Sequence, residues 1–317
     1  MKILIAEDCV ILSRNLARNI SNWGYQVVTA RNGTEAWNSI LKDNIRLAIL
    51  DWMMPGIDGI ALCRKIRKEL PKNKSEYVYI ILLTGKNQQE DIIEGLSSGA
   101  DDYMIKPANL LELKVRLING SRIINLEDKR IQLATTDSLT DLWNRRKIFE
   151  FLGEELERGK REPIYIGTIM IDIDNFKQIN DNFGHSIGDK VLSEVAFRLK
   201  HSLRLYDKIG RYGGDEILIV LPNCDQNNVK VIAERLKQVI CSNKINTTAG
   251  DLDITISLGG ASTQNLQKIS LDKLLENSDN ALYLAKQQGR NCAIVTDPKK
   301  TKVFKIEKNL GTGEQIK

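Results

Sequence analysis

The sequence has few cysteines and pairs none of them by spacing. Cys9, Cys63, Cys224, Cys241 and Cys292 are dispersed, and no Cys-x-x-Cys occurs. An odd, scattered set fits a reducing compartment, the cytoplasm, better than a disulfide framework or a cysteine zinc site. Long apolar runs are missing too. No stretch of about eighteen apolar residues occurs, so neither a transmembrane helix nor membrane insertion is expected. The opening Met1-Lys2-Ile3-Leu4-Ile5-Ala6 ends in Glu7-Asp8 and does not read as a signal peptide. A large charge excess is also absent. The net charge is +5, and residues 298–317, with six Lys and two Glu, hold four of those charges. A nearly neutral body argues against DNA binding, and the Lys-rich end reads as a flexible, solvated tail. What remains, 42% hydrophobic and 27% charged over 317 residues, is ordinary for soluble protein. That length suggests about two domains.

Residues 1 to about 120 alternate short apolar runs with helical patterns. Lys2–Ala6, Gln26–Thr29, Leu47–Leu50, Val78–Leu83 and Asp102–Ile105 read as strands, with helices between them. Repeated β-α units predict a five-stranded parallel sheet covered on both faces, with functional groups at the strands' carboxyl ends. Those ends carry Glu7 and Asp8, then Asp51, then Thr84, then Lys106. Clustered carboxylates suit Mg²⁺, which prefers an oxygen shell. Beside it an aspartate can attack a phosphoryl group, with the lysine and threonine holding its oxygens.

From residue 108 to about 136 the helical pattern continues past the expected domain end. Leu110, Leu117, Ile124 and Ile131 recur every seven residues, and Leu113, Gly120, Glu127 and Ala134 form the companion row. This reads as a parallel two-chain coiled coil. A long helix packed on its own domain is the alternative. Ile123 offers a second register, and Gly120 and Glu127 weaken the first.

The second domain, 137–297, opens on Asp137-Ser138-Leu139-Thr140 and predicts the element order α-β-α-β-β-α-β-α-β. That order suggests a ferredoxin-like α/β sandwich with a mixed sheet. Its strand Ile164–Ile173 ends in Asp172-Ile173-Asp174, and a Gly213-Gly214 turn leads into Asp215-Glu216. If the two strands are neighbours, Asp172 and Asp215 meet and can hold the paired Mg²⁺ ions of phosphoryl transfer. Lys177, Lys286 and Arg290 are candidate triphosphate clamps. Asn180 and Asp189 offer acceptors. A carboxylate matches the two adjacent donors on guanine's base-pairing edge, so Asp189 points to GTP over ATP. Arg204 and Asp207, three residues apart, read on their own as an ion pair at a strand entrance.

The first set of residues resembles the receiver domain of two-component response regulators. The resemblance implies that Asp51 is the phosphoacceptor, with Glu7, Asp8 and the Met53 carbonyl around one Mg²⁺. It further implies that Thr84, Tyr103 and Lys106 are the switch residues, that Lys106-Pro107 is cis, and that a histidine kinase is the partner. The run Arg211-Tyr212-Gly213-Gly214-Asp215-Glu216-Ile217 resembles the signature of the GGDEF diguanylate cyclases, with further matches at 137–146, 172–189 and 285–291. This implies two Mg²⁺ (or Mn²⁺) at Asp172, the Ile173 carbonyl, Asp215 and Glu216, with Asp215 and Glu216 catalytic. It implies GTP at Asn175, Phe176, Lys177, Asn180, Asp189, Lys286 and Arg290. It also implies an inhibitory cyclic di-GMP site at Arg204, Asp207 and Arg235. Ile217 departs from the family's Phe and is expected to be a buried packing change. His185 is expected to make a helix-entry hydrogen bond. The resemblance thus implies a phosphorylation-regulated homodimer converting two GTP into cyclic di-GMP and two pyrophosphates. A non-catalytic cyclic di-GMP receptor, a signalling scaffold and an ATP-using cyclase are the alternatives.

Overall fold

The computed structural model describes residues 1–70, 77–85, 89–264 and 269–296, so the expected tail at 298–317 lies outside the described residues. The chain forms two compact units, Met1–Gln132 and Leu133–Lys317.

The first unit runs β1 (Lys2–Ala6), α1 (Val10–Asn22), β2 (Gln26–Ala30), α2 (Gly33–Lys42), β3 (Leu47–Asp51), α3 (Gly59–Glu69), β4 (Tyr79–Thr84), α4 (Gln89–Ser97), β5 (Asp102–Ile105) and α5 (Leu110–Thr135). The strands are parallel in the order β2-β1-β3-β4-β5, a doubly wound flavodoxin-like sheet. Successive side chains on a strand point to opposite faces, so each buried strand feeds two cores. Leu4, Ala48, Leu50, Ile80 and Leu82 pack on one side, against Ala36, Ile40, Leu62 and Ile66. Ile3, Ile5, Leu47, Ile49 and Ile81 pack on the other, against Leu16, Ile20, Leu113 and Leu117. This explains why the strands read as unbroken apolar runs.

The α5 register departs from expectation. Leu113, Leu117, Gly120 and Ile124, half of the predicted seam, are buried on the receiver's own sheet. Gly120 lies so close to Tyr79 that an added Cβ would come within 2.6 Å of the ring. Arg46 forks onto Asp128 at 2.6 and 3.2 Å, tying the helix to the same unit further along. Leu111, Val115, Ile118, Leu126 and Leu133 form a different, exposed apolar row. A helix packed on a sheet and a coiled-coil helix share nearly the same period, which is why sequence spacing chose the occupied face.

The second unit runs α6 (Arg145–Gly159), β6 (Ile166–Ile173), α7 (Phe176–Phe183), α8 (His185–His201), β7 (Lys208–Gly213), β8 (Glu216–Pro222), α9 (Gln226–Cys241), β9 (Ile245–Thr247), β10 (Gly250–Leu252), β11 (Ile256–Ser262), α10 (Leu271–Gln287) and β12 (Ala293–Val295). The mixed sheet has the order β12-β11-β6-β8-β7, and β9 and β10 pair separately. Two features went unpredicted: the β9–β10 hairpin, and the break at Gly184 (φ 85°) that separates α7 from α8. Helices α8 and α9 cover one face, through Val191, Val195, Leu199, Val229 and Leu236. Helices α6 and α10 cover the other, through Ile148, Leu152, Leu274 and Leu282. Ile217 is fully buried in β8, as its place in the strand predicts.

Candidate active site and phosphoacceptor site

In the receiver, β1 and β3 are adjacent and parallel, with Ala6 opposite Leu50. The next residue on each strand end therefore lies beside the other, and Glu7, Asp8 and Asp51 place carboxylate oxygens within 4.8 Å of one another. Glu7 and Asp51 are buried, whereas Asp8 is exposed. Lys106 Nζ lies 2.8 Å from both Glu7 Oε2 and Asp51 Oδ2. Burial pushes the Glu7 carboxyl up; the Lys106 hydrogen bond opposes this and the Asp51 charge adds to it. Burial alone would lower Lys106, but its bonds to Asp51 and Glu7 outweigh burial and raise it. The Met53 N–H donates to Asp51 Oδ1 at 3.4 Å. Thr84 is buried at the end of β4, and Tyr103 is half-buried on β5 under the Arg116 guanidinium. Lys106-Pro107 is cis, as expected. Three hard oxygen donors on one edge fit a divalent cation.

In the second unit, antiparallel β6 and β8 set Asp172 directly opposite Glu216. Asp215 precedes Glu216 in the β7–β8 turn, whose Gly214 adopts φ 54°. The last turn of α10 brings Lys286 Nζ to 2.6 Å from Asp172 Oδ2. Burial raises Asp172; Lys286 opposes this and Asp215 adds to it. Burial and the facing Asp172 likewise raise Glu216. Three acids thus crowd one sheet edge against one ammonium, a donor set that fits additional cationic charge. Among the described residues they are not gathered as tightly as Glu7, Asp8 and Asp51.

Apart from Lys286, the nucleotide candidates lie at α7 and α8, which follow β6, and just beyond α10. Asn175 is left-handed (φ 58°) and leads into α7 without a side-chain cap, so the first N–H groups of that helix have no side-chain acceptor there. Lys177 is exposed on α7, Asp189 is exposed on α8, and Arg290 is exposed beyond α10. Asn180 packs against Gly188, where an added Cβ would stand 1.8 Å from Asn180 Oδ1. His185 is exposed and lacks the helix-entry hydrogen bond expected of it: it is the first residue of α8, and the cap position before it is Gly184, which has no side chain to offer.

Arg204, Asp207 and Arg235 line a cavity of about 250 Å³ with Asn223 and Asn228. The expected Arg204–Asp207 ion pair is replaced by two other contacts. Asp207 Oδ2 accepts the Arg204 backbone N–H at 3.0 Å, while the Arg204 guanidinium donates to the Tyr206 hydroxyl at 2.8 Å. Burial raises the Asp207 carboxyl.

Sequence reasoning missed Arg211 as a structural group. Its Nε donates to Gly214 O at 2.8 Å and its Nη1 reaches Asp137 Oδ2 at 3.0 Å. Asp137 Oδ1 also accepts the Thr140 N–H and hydroxyl, so Asp137-x-x-Thr140 closes a turn, and the cap of α6 is Asn144. Asp137 and Arg211 lie 74 positions apart, and no local pattern links them.

Residues 134–292 match the family described as "Diguanylate cyclase, GGDEF domain", and residues 3–118 match "Response regulator receiver domain". The chain is 30% identical over 259 residues to response regulator PleD of Caulobacter vibrioides, covering 79% of this chain and 56% of that protein. It is 36% identical over 188 residues to diguanylate cyclase A of Treponema denticola, covering 58% of this chain and 48% of that protein. It therefore spans about half the length of these curated relatives. Its fold is similar to the crystal structure of the coiled coil and GGDEF domain of DgcB from Caulobacter crescentus in complex with c-di-GMP. There the TM-score is 0.52 and the identity 28%, with 58% of this chain and 99% of that chain covered. No helix among the described residues is long and apolar enough to cross a membrane. The chain belongs to the diguanylate cyclase GGDEF-domain family and carries a response regulator receiver domain ahead of its GGDEF domain.

Proposed function

We propose that this protein is a phosphorylation-regulated diguanylate cyclase that condenses two GTP into cyclic di-GMP and two pyrophosphates as a cytoplasmic homodimer. The observation that carries the reading is the pairing of Asp172 with Glu216 across β6 and β8, with Asp215 in the adjoining turn and Lys286 on Asp172. Asp172, the Ile173 carbonyl, Asp215 and Glu216 would hold Mg²⁺ or Mn²⁺, two per site. When bound, such ions lower the pKa of a ribose 3′-hydroxyl and neutralise charge developing on phosphate. The chain's own residues do the rest. The N-terminus of α7 at Asn175 and Phe176, with Lys177, Lys286 and Arg290, binds the triphosphate. Asn180 and Asp189 read the guanine edge. Glu216, its pKa raised by burial, suits removal of the 3′-hydroxyl proton.

In the receiver domain, about residues 1–120, Asp51 accepts a phosphoryl group from a histidine kinase. Glu7, Asp8 and the Met53 carbonyl hold one divalent cation there. Thr84, Tyr103 and Lys106 respond to the phosphoryl group, and the connector at 108–136 carries the response to the cyclase domain at 137–297. Each GTP is attacked by the other's 3′-oxygen, so one chain cannot complete a product. The exposed row on α5 supplies an apolar surface for a second copy. Cyclic di-GMP restrains turnover at Arg204, Asp207 and Arg235, whose cavity offers two arginines to guanine and phosphate. The test is product formation from GTP and Mg²⁺ with and without beryllofluoride. Cyclic di-GMP that appears with the wild-type chain and disappears in Asp215→Asn, with dimerisation kept, is the expected result. No product from the beryllofluoride-treated dimer would leave a cyclic di-GMP receptor as the better reading.

A further inference from the structure

Asp174 lies two residues beyond Asp172, and a sequence reading Asp-x-Asp invites pairing both as metal ligands. The structure gives Asp174 different partners. It is 5% exposed. Its Oδ1 accepts the Ser257 hydroxyl at 2.6 Å, and its Oδ2 accepts the Thr255 hydroxyl at 2.7 Å and the Asn291 N–H at 2.9 Å. Both carboxylate oxygens are thus engaged by neutral donors from β11, from the residue just before it and from the turn after α10.

That turn is unusual. Gly289, Arg290 and Asn291 take φ of 103°, 66° and 47°, a left-handed run in which two residues carry side chains. Such conformations persist only where the surroundings enforce them. Three contacts do so here. The Arg290 N–H donates to Ala285 O at 3.1 Å. The Cys241 thiol donates to Asn291 Oδ1 at 3.1 Å. The Asn291 N–H donates to Asp174. Only the last connects the turn to the strand end that carries Asp172.

We infer that Asp174 is a positioning residue: it clamps the Gly289–Asn291 turn to the end of β6 and so presents Arg290 to the triphosphate of GTP. This rests on the diguanylate cyclase reading above. An Asn at 174 keeps the size but removes the charge and one acceptor: with its NH₂ turned to the Ser257 hydroxyl, its single oxygen holds the Asn291 N–H through a weaker, neutral bond, which loosens the turn.

The experiment is calorimetric titration of the full chain, in Mg²⁺, with a GTP analogue carrying a methylene between the α and β phosphorus atoms, and with GMP. Asp174→Asn is expected to weaken the analogue about tenfold and to leave GMP within about twofold. The Asp174→Asn/Arg290→Ala double variant is expected to bind the analogue no more weakly than Arg290→Ala alone, because the two act through one contact. Thr255→Val, which removes one of the three donors with less risk to folding, is expected to shift analogue affinity in the same direction by about threefold. The Mg²⁺ concentration for half-maximal turnover is expected to stay unchanged in Asp174→Asn. Wild-type affinity for the analogue in Asp174→Asn, additive losses in the double variant, equal loss for GMP, or a raised Mg²⁺ requirement would each overturn the proposal while leaving the cyclase reading intact. A wild-type chain that binds no analogue would overturn both.

Discussion

Gly188 and Lys106 show how single residues set the two sites. At Gly188 any side chain would enter the space of Asn180 Oδ1. Gly188→Ala therefore drives Asn180 off its position while leaving the acids of β6 and β8 untouched. Steady-state kinetics are expected to show KM for GTP raised about tenfold with kcat changed far less, since a guanine contact is made in ground and transition states alike. An equal fall in kcat with KM unchanged would remove Asn180 from base recognition. Lys106 is the ammonium shared by buried Glu7 and Asp51. Lys106→Ala strands both carboxylates and is expected to cost the receiver about 3 kcal/mol in denaturant unfolding with chelator present. Added Mg²⁺ is expected to restore part of that loss, and to stabilise the variant more than the wild type. Identical Mg²⁺ responses in the two would argue against a cation among Glu7, Asp8 and Asp51.

At the scale of elements, α5 separates two roles that its sequence superimposes. Leu117 is fully buried on the receiver sheet, while Leu126 is 65% exposed. Leu117→Ala is expected to destabilise the receiver by about 2–5 kcal/mol, whereas Leu126→Ala is expected to stay within about 0.5 kcal/mol and to weaken dimerisation in sedimentation. The turn after α5 adds a pH signature. The Asp137 carboxyl is held below its ordinary range: burial raises it, but bonds from Thr140 and the Arg211 charge and bond outweigh burial. A depressed acid contributes stability that is complete above its unfolded pKa and is lost as pH falls through the folded one. Unfolding of wild type is therefore expected to ease below about pH 4, and Asp137→Asn to be less stable at pH 7 with a shallower acid limb. Equal limbs in the two would deny Asp137 that role.

Legibility in the sequence followed locality. The strand ends Glu7-Asp8, Asp51 and Asp172, the Gly-Gly turn and most helices were readable because alternation, caps and turns are written in adjacent residues. The α5 spacing left a partner helix and the receiver's own sheet as alternatives, because both ask for the same period; Leu113, Leu117, Gly120 and Ile124 lie on the sheet. The Asp137–Arg211 link, the Arg204 contact to Tyr206 and the three donors on Asp174 were illegible, because the partners meet only through sheet order and packing.

At the scale of the whole molecule, two things have to be reconciled: complete-looking acid sites in one chain, and a proposed reaction that joins two nucleotides. Asp172, Asp215 and Glu216 sit on a single sheet edge with Lys286 of α10 against it, so under the proposed function one chain would bind and polarise one GTP but offer no second 3′-oxygen to it. Rate then depends on how often two such edges face each other. For a chain whose dimer is weak, the rate per chain rises in proportion to protein concentration. Once dimers dominate, the rate per chain becomes constant. If, as proposed, phosphorylation favours a receiver dimer, it would shift that crossover to lower concentration without altering the chemistry proposed at Asp215 and Glu216. Initial rates of cyclic di-GMP formation measured across a wide protein range are therefore expected to show one plateau value reached at two concentrations. The crossover comes lower with beryllofluoride and higher without it. Leu126→Asp on the exposed row of α5 is expected to move both crossovers upward and leave the plateau in place. A plateau that rises with beryllofluoride at an unchanged crossover would place the control within an already formed dimer, in how its two halves are oriented, and would remove assembly as the regulated step.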